Sequence, residues 1–381
     1  MISDSKYVNT SKQEQVVIQN IGARNCDAVI TENGEYVPNA PFTGFGKVTV
    51  MVPQQPSVAP VGYIPRLVVG DVLRAGGGAP DLTGIKYISA YALYNACRAT
   101  ILDGDIDYHS ITTVDGYGCY YTFYNSTGGG NVDLSGLTTI NGQYGCYGMF
   151  RENPDITGVN LHNLSTVNPY SCNSMFYGCT SLTSADLSSL TTVPASYACR
   201  SMFQYSGLTS VDLSSLTTVG GSGACQDMFS NNENLVSADL SGLTTISSTN
   251  GCASMFQATN IATVDLSSLT TVSGNGGCSS MFYLCPMLTA VSLDSLSDIS
   301  GQWALNMMFQ DCTSLTSLSF PALKSTSFGS YNNQLSNIVK GVTGCTIHFP
   351  SNLTSAIASL TGYPDFGGTD TVLLFDLPEV E

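Results

Sequence analysis

The sequence predicts a solenoid of stacked 26/27-residue units, each a short parallel strand plus a helical turn, behind a small N-terminal β module. Two repeating motifs and their period predict it. Cys-x-x-Met-Phe occurs six times, at 146–150, 172–176, 199–203, 225–229, 252–256 and 278–282. Degenerate copies at 119–123 and 305–309 place phenylalanines at 123, 150, 176, 203, 229, 256, 282 and 309, in steps alternating between 27 and 26 residues. Between these marks runs Leu-Thr-Ser-x-Asp-Leu-Ser-x-Leu-Thr-Thr-Val, clearest at 182–193 and 208–219. Self-similarity at a fixed period marks a stacked array, because no single unit can bury its apolar face alone.

Each element follows from its spacing. Leu208, Val211 and Leu213 predict a short strand with these side chains inward. Leu216 and Val219 predict a second extended piece after a turn. Cys225, Met228 and Phe229 stand at i, i+3 and i+4, one face of a helix, and predict a helical turn. The apolar spacing Leu-x-x-Leu-x-Leu matches the strand signature of leucine-rich repeats. The expected fold class is therefore a solenoid of leucine-rich repeats.

The flanks differ in texture. Residues 1–53 read as the β module, with strands at 16–18, 28–30 and 44–53 and an Asn33-Gly34 turn signal. Residues 54–60 are a proline-rich, extended linker. Residues 61–105 read as an N-terminal cap, with Tyr91–Cys97 echoing the helical turn. Residues 106–320 form the array. Residues 321–381 form a C-terminal cap, in which 342–353 and 371–377 are expected to be strands that close the stack.

Composition excludes several functions. The chain has 381 residues, 12 Lys+Arg against 28 Asp+Glu, and a formal net charge of −16. Nucleic acid is not an expected partner, because phosphate binding needs a basic footprint. The start, MISDSKYVNTSKQEQVV, lacks a basic stretch followed by an apolar run, so no secretory signal is expected. No run approaches the roughly 18 consecutive apolar residues of a membrane span, so no membrane insertion is expected.

Thirteen cysteines suggest a disulfide framework, but their positions argue against it. Seven share one repeat position: Cys119, Cys146, Cys172, Cys199, Cys225, Cys252 and Cys278. Cys97, Cys179, Cys285 and Cys312 sit at or near three residues past the repeat phenylalanine. In the last copy Leu305 stands where cysteine is expected, so that position wants apolar volume. Together with Phe150, Phe176, Phe203, Phe229, Phe256, Phe282 and Phe309, these cysteines are the expected repeat core. No Cys-x-x-Cys occurs and the histidines are scattered, so no zinc site is expected.

Two surfaces are candidates for binding. The fifth position of the strand motif points outward and holds Asp107, Asp133, Asn160, Asp186, Asp212, Asp239, Asp265 and Ser292. Stacked, these aspartates would form a ladder for a divalent cation, a polar glycan or a basic partner, or simply a solvated face. The second surface comprises the variable loops before each Cys and the tyrosines of the first half of the array. No catalytic set emerges: the carboxylates lie on one face without an opposed partner, and Gly76-Gly77-Gly78 lacks the Lys-Ser/Thr of a phosphate loop. The chain is expected to be no enzyme and to need no cofactor.

The repeats between about 85 and 350 resemble BspA-like leucine-rich repeats of bacterial surface proteins. The phrase TENGEYVPNAPFTGFGKVTVMVP is similar to a short module of tailed-phage structural proteins, and GCTIHFPSNL is similar to closing segments of related proteins from gut bacteria and their phages. The resemblance implies adhesion or protein binding. It points to a virion component, a tail-fibre or head-fibre adhesin. Residues 1–53 would contact other virion proteins and the array a host-surface glycan or protein, with homo-oligomers open. The alternatives are a bacterial cell-surface adhesin and a virion decoration protein without a receptor.

Overall fold

The computed structural model describes residues 90–328, 333–360 and 366–379, with 79, 82 and 85–88. Before these it describes the strands Lys6–Asn9, Gln15–Ile21, Ala28–Ile30, Tyr36–Pro38, Lys47–Met51 and Tyr63–Ile64. Gln15–Ile21 pairs antiparallel with both Lys6–Asn9 and Lys47–Met51, and Ala28–Ile30 pairs antiparallel with Tyr36–Pro38. The Asn33-Gly34 turn, the 54–60 linker and Gly76-Gly77-Gly78 lie outside the described residues. The chain divides into two units, Met1–Asp186 and Leu187–Glu381.

Each unit contains stacked coils with two main parallel ladders, and the first has a further parallel pair, Ile101–Leu102 with Thr127–Gly128. In the first, Ile106–Asp107, Asn131–Asp133, Gly158–Asn160 and Ser184–Asp186 make one ladder, and Tyr63–Ile64, Tyr87–Ile88, Thr113–Val114, Thr139–Ile140 and Thr166–Val167 the other. In the second, Ser210–Asp212, Ser237–Asp239, Thr263–Asp265 and Ala290–Ser292 pair likewise, beside Thr192–Val193, Thr218–Val219, Thr245–Ile246 and Thr271–Val272. Register follows the repeat step: Val211 faces Ala238 and Asp212 faces Asp239. Every repeat position therefore stacks on its own counterpart. Exposed threonines reinforce the ladder, as where the Thr217 and Thr244 hydroxyls donate to the Thr191 and Thr217 carbonyls at 3.0 and 2.9 Å.

The third side of the coil is not the helical turn expected from Cys-x-x-Met-Phe. Amides there alternate between two partners. Cys199, Ser201, Phe203 and Tyr205 donate to Ala224, Gln226, Met228 and Ser230 of the next coil, at 2.8–3.1 Å. The intervening Arg200, Met202, Gln204 and Ser206 donate to carbonyls three residues back, at 3.2–3.4 Å. An α-helix would commit each N–H to the residue four back and leave none to join the coils. Buried backbone between stacked coils needs that lateral bond.

The result is a run of four-residue turns, with left-handed backbone at Tyr197, Ser201 and Tyr205 (φ 55°, 52° and 59°). It buries Ala198, Cys199, Met202 and Phe203, adjacent pairs recurring every four residues. Cys-x-x-Met-Phe fits this period as well as a helical one. Among the described residues the one α-helix is Thr354–Leu360.

The core is columnar. Phe123, Phe150 and Phe176 stack at 5.0 and 5.3 Å between centroids in the first unit. Phe203, Phe229, Phe256, Phe282 and Phe309 stack at 5.4–5.8 Å in the second. All eight are fully buried. Register also revises one cysteine. Cys97 donates its amide to Thr122 as Phe123 does to Met149, so it occupies the phenylalanine position, not the one three residues later.

At the C-terminal end, Ser317–Ser319, Thr346–Pro350 and Val372–Leu377 form a further parallel sheet. Of the 342–353 stretch only Thr346–Pro350 is strand, and Ser351–Leu353 turns into a 3-10 helix.

Candidate binding surfaces

The strand face carries the aspartates in register. Asp133 faces Asp107 and Asn160, Asn160 faces Asp186, and in the second unit Asp239 faces Asp212 and Asp265. Each is occupied locally. Asp133, Asp212, Asp239 and Asp265 accept the backbone N–H two residues on, from Ser135, Ser214, Ser241 and Ser267, at 2.8–2.9 Å. Asn160 accepts that of His162 at 3.0 Å. This side-chain turn closes the chain reversal after the strand, which gives Asp and Asn a backbone reason to recur.

Asp212→Asn should accordingly change stability by under about 0.5 kcal/mol, whereas Asp212→Ala should lose about 1 kcal/mol. Thermal denaturation of both variants checks this. Equal losses would mean the side-chain turn does not explain the column.

The hydroxyl and N–H of Ser267 hold the Asp265 carboxyl below its ordinary value. A depressed carboxylate stabilises the fold above the unfolded value of about 4, and the contribution is lost as pH falls through the lower folded value. Asp265→Asn should flatten that part of the stability–pH curve.

His109 lies against Asp107 (2.5 Å), His162 against Asp186 (3.4 Å) and His348 against Asp376 (2.9 Å), all at the surface. Among the described residues no group of three or more His, Cys, Asp or Glu is arranged to hold a metal ion.

The cysteines serve two purposes. Those of Cys-x-x-Met-Phe form columns of buried thiols; Cys225 is raised by its bond with Cys252 and by burial, and Cys146 by its bond with Cys119 and by burial. Burial alone pushes Cys278 up to about 12. The position three past the phenylalanine is different. It holds Ser126, Asn153, Cys179, Ser206, Asn232, Thr259, Cys285 and Cys312; Ser206 donates to the Asn232 side chain, and all of the others except Asn153 donate to a buried phenylalanine-position carbonyl. Cys179, Cys285 and Cys312 do so at 3.2, 3.1 and 3.0 Å, so their thiols replace hydroxyls and amides, not leucine.

None of the twelve described cysteines is in a disulfide, and all are buried. Reaction needs the thiolate and access. An aromatic disulfide reagent at about pH 8 should label none of the twelve in the folded chain and all of them after denaturation.

The turn face of the first unit is aromatic. Tyr91, Tyr117, Tyr144 and Tyr170 form one column at 4.9, 5.0 and 4.7 Å between centroids. Tyr94, Tyr120 and Tyr147 form a second at 4.9 and 5.2 Å. Beside them Arg98, Tyr124, Arg151 and Tyr177 alternate, Arg98 lying 4.4 Å from the Tyr124 centroid and Arg151 4.0 Å from that of Tyr177. Tyr91 and Tyr94 are each 42% exposed and the others half-buried.

The first column has left-handed backbone throughout, φ 58–62°. At the matching position of the second unit stand Tyr197, Gly223, Asn250, Gly276 and Trp303. Glycine and asparagine satisfy that backbone at little strain. A tyrosine there costs roughly 1–2 kcal/mol, and a stacked pair offsets about 0.5–1.5 kcal/mol of it. Burial of the rings contributes in the same direction.

Residues 147–276 match the BspA type leucine rich repeat region in six copies. The solenoid is a leucine-rich repeat array. Among solved structures, the chain is similar to a leucine-rich repeat protein from Bacteroides ovatus ATCC 8483, at 16% identity and a TM-score of 0.39, over 92% of this chain and 99% of that one. It is also similar to the pneumococcal vaccine antigen PcpA, at 13% identity and a TM-score of 0.29, over 99% of both chains. No curated protein matches it. In the array the aspartate column and the tyrosine columns lie on separate segments of each coil, strand and turn. No helix among the described residues is long and apolar enough to cross a membrane.

Proposed function

We propose that the chain is a non-enzymatic binding protein whose leucine-rich repeat array holds a surface glycan or protein. The observation that carries this is the tyrosine–arginine turn face, a side-chain set typical of binding hot spots. The finer reading is a phage tail-fibre or head-fibre adhesin, with residues 1–53 joining it to other virion proteins. The resemblance of the 31–53 phrase to tailed-phage structural proteins supports it. Peptides of the chain are expected in washed, purified particles by mass spectrometry, and particles lacking residues 106–320 should fail to adsorb. Absence from particles would sink the virion role. Normal adsorption with fragile particles would favour decoration. The BspA-type repeats support a second reading, a bacterial cell-surface adhesin, for which surface proteolysis of intact cells should cleave the chain.

A further inference from the structure

We propose that the turn face of the first unit is a receptor for a linear acidic polysaccharide, laid along the tyrosine columns. This rests on the surface-binding reading above and names the face and the ligand class. Tyr117 lies between Tyr91 and Tyr144, and Tyr120 between Tyr94 and Tyr147, so both faces of these rings are covered. What such half-buried rings offer solvent is edge and hydroxyl. A ring edge is the positive end of the aromatic quadrupole, and a neutral phenol donates a hydrogen bond. Burial, reinforced by neighbouring tyrosines, raises Tyr117 and Tyr120 above the ordinary phenol value and keeps them neutral.

The arginines point the same way. Arg98 is exposed and stacked over Tyr124, which uses the guanidinium face and leaves its N–H edge for a carboxylate. Across the turn segments 91–99, 117–125, 144–152 and 170–178 the single acidic residue is Glu152, 3.4 Å from Arg151. Asp107, Asp133 and Asp186 sit on the strand segments, and Asp115, just before the turn segment of Tyr117, is occupied by the Tyr87 hydroxyl. An otherwise acidic chain thus gathers ring edges, hydroxyl donors and guanidinium groups on one face, the complement of an anion. Tyrosine hydroxyls recur once per coil and guanidinium groups every second coil, which suits a polymer whose anions recur. Single-stranded nucleic acid would need open ring faces for its bases to stack on, and here the rings cover one another.

The test is isothermal titration of the full chain with polygalacturonate, which carries a carboxylate on each sugar. Neutral dextran and oligothymidylate serve as comparisons. Polygalacturonate should bind in a salt-sensitive manner and dextran should not. Arg98→Gln with Arg151→Gln should weaken binding about tenfold or more. Tyr94→Phe with Tyr120→Phe keeps the rings and should weaken it several-fold at an unchanged melting temperature. A native chain that ignores polygalacturonate, or binding that survives both sets of changes, overturns the assignment of this face. Equal binding of dextran overturns the acidic class, and tighter binding of oligothymidylate overturns the polysaccharide. Each of these leaves the surface-binding reading standing, because array deletion tests that separately.

Discussion

Phe229→Ala should lower the unfolding free energy by about 4 kcal/mol, the range found when a buried phenylalanine is truncated. Phe229 is fully buried and stacked between Phe203 at 5.5 Å and Phe256 at 5.4 Å. Truncation removes transfer free energy and both stacking contacts. The neighbouring coils are pinned by lateral hydrogen bonds from Phe203 to Met228 and from Phe229 to Met255, so they cannot collapse into the void. Guanidinium denaturation of the full chain, followed by far-ultraviolet circular dichroism, reads the loss. A loss below about 1 kcal/mol would mean the ring lies outside the packed column.

Asn232→Leu should be nearly as damaging, about 3 kcal/mol, for a different reason. Asn232 is fully buried, three residues past Phe229. Its amide donates to the carbonyls of Phe203 and Phe229, both at 2.9 Å, and its carbonyl accepts the Ser206 hydroxyl at 2.7 Å. Leucine fills similar volume but takes a partner from all three groups. Orphaned buried polar groups cost about 1–3 kcal/mol each, less where other bonds remain; the Phe203 carbonyl keeps the backbone N–H of Ser206. Asn232→Ser should recover much of the loss, since serine holds the position at Ser126 and donates at 3.1 Å. If leucine were tolerated as well as serine, the position would be apolar and the buried polar ladder would have no energetic role.

The contrast between these residues shows where sequence reading reached and where it stopped. Phe229 was legible because its column recurs with a strict period and a single residue type. Asn232 was not, because its column is written in Ser, Cys, Asn and Thr, which share a donor and no common hydropathy. Its three cysteines therefore looked like apolar filler. The sequence predicts a helical turn because Cys-x-x-Met-Phe fits periods of 3.6 and of four alike. A signal for the second was present in Gly223, Asp227 and Asn231, four apart and all of types that accept left-handed backbone, where φ is 56°, 56° and 59°.

Repeat length, strand positions and inward residues were determined by the sequence alone. Burying one apolar stripe per unit imposes a period that any reader of the chain can count. Only the tertiary structure decided how the amides of the third side are spent, that the aspartates close their own turns, and that the tyrosines cover one another's faces. These depend on what the next coil presents at the same height, and a period states that a neighbour exists without stating which atoms meet. The pairing of coil against coil turned a column of tyrosines from a set of stacking platforms into a row of edges and hydroxyls.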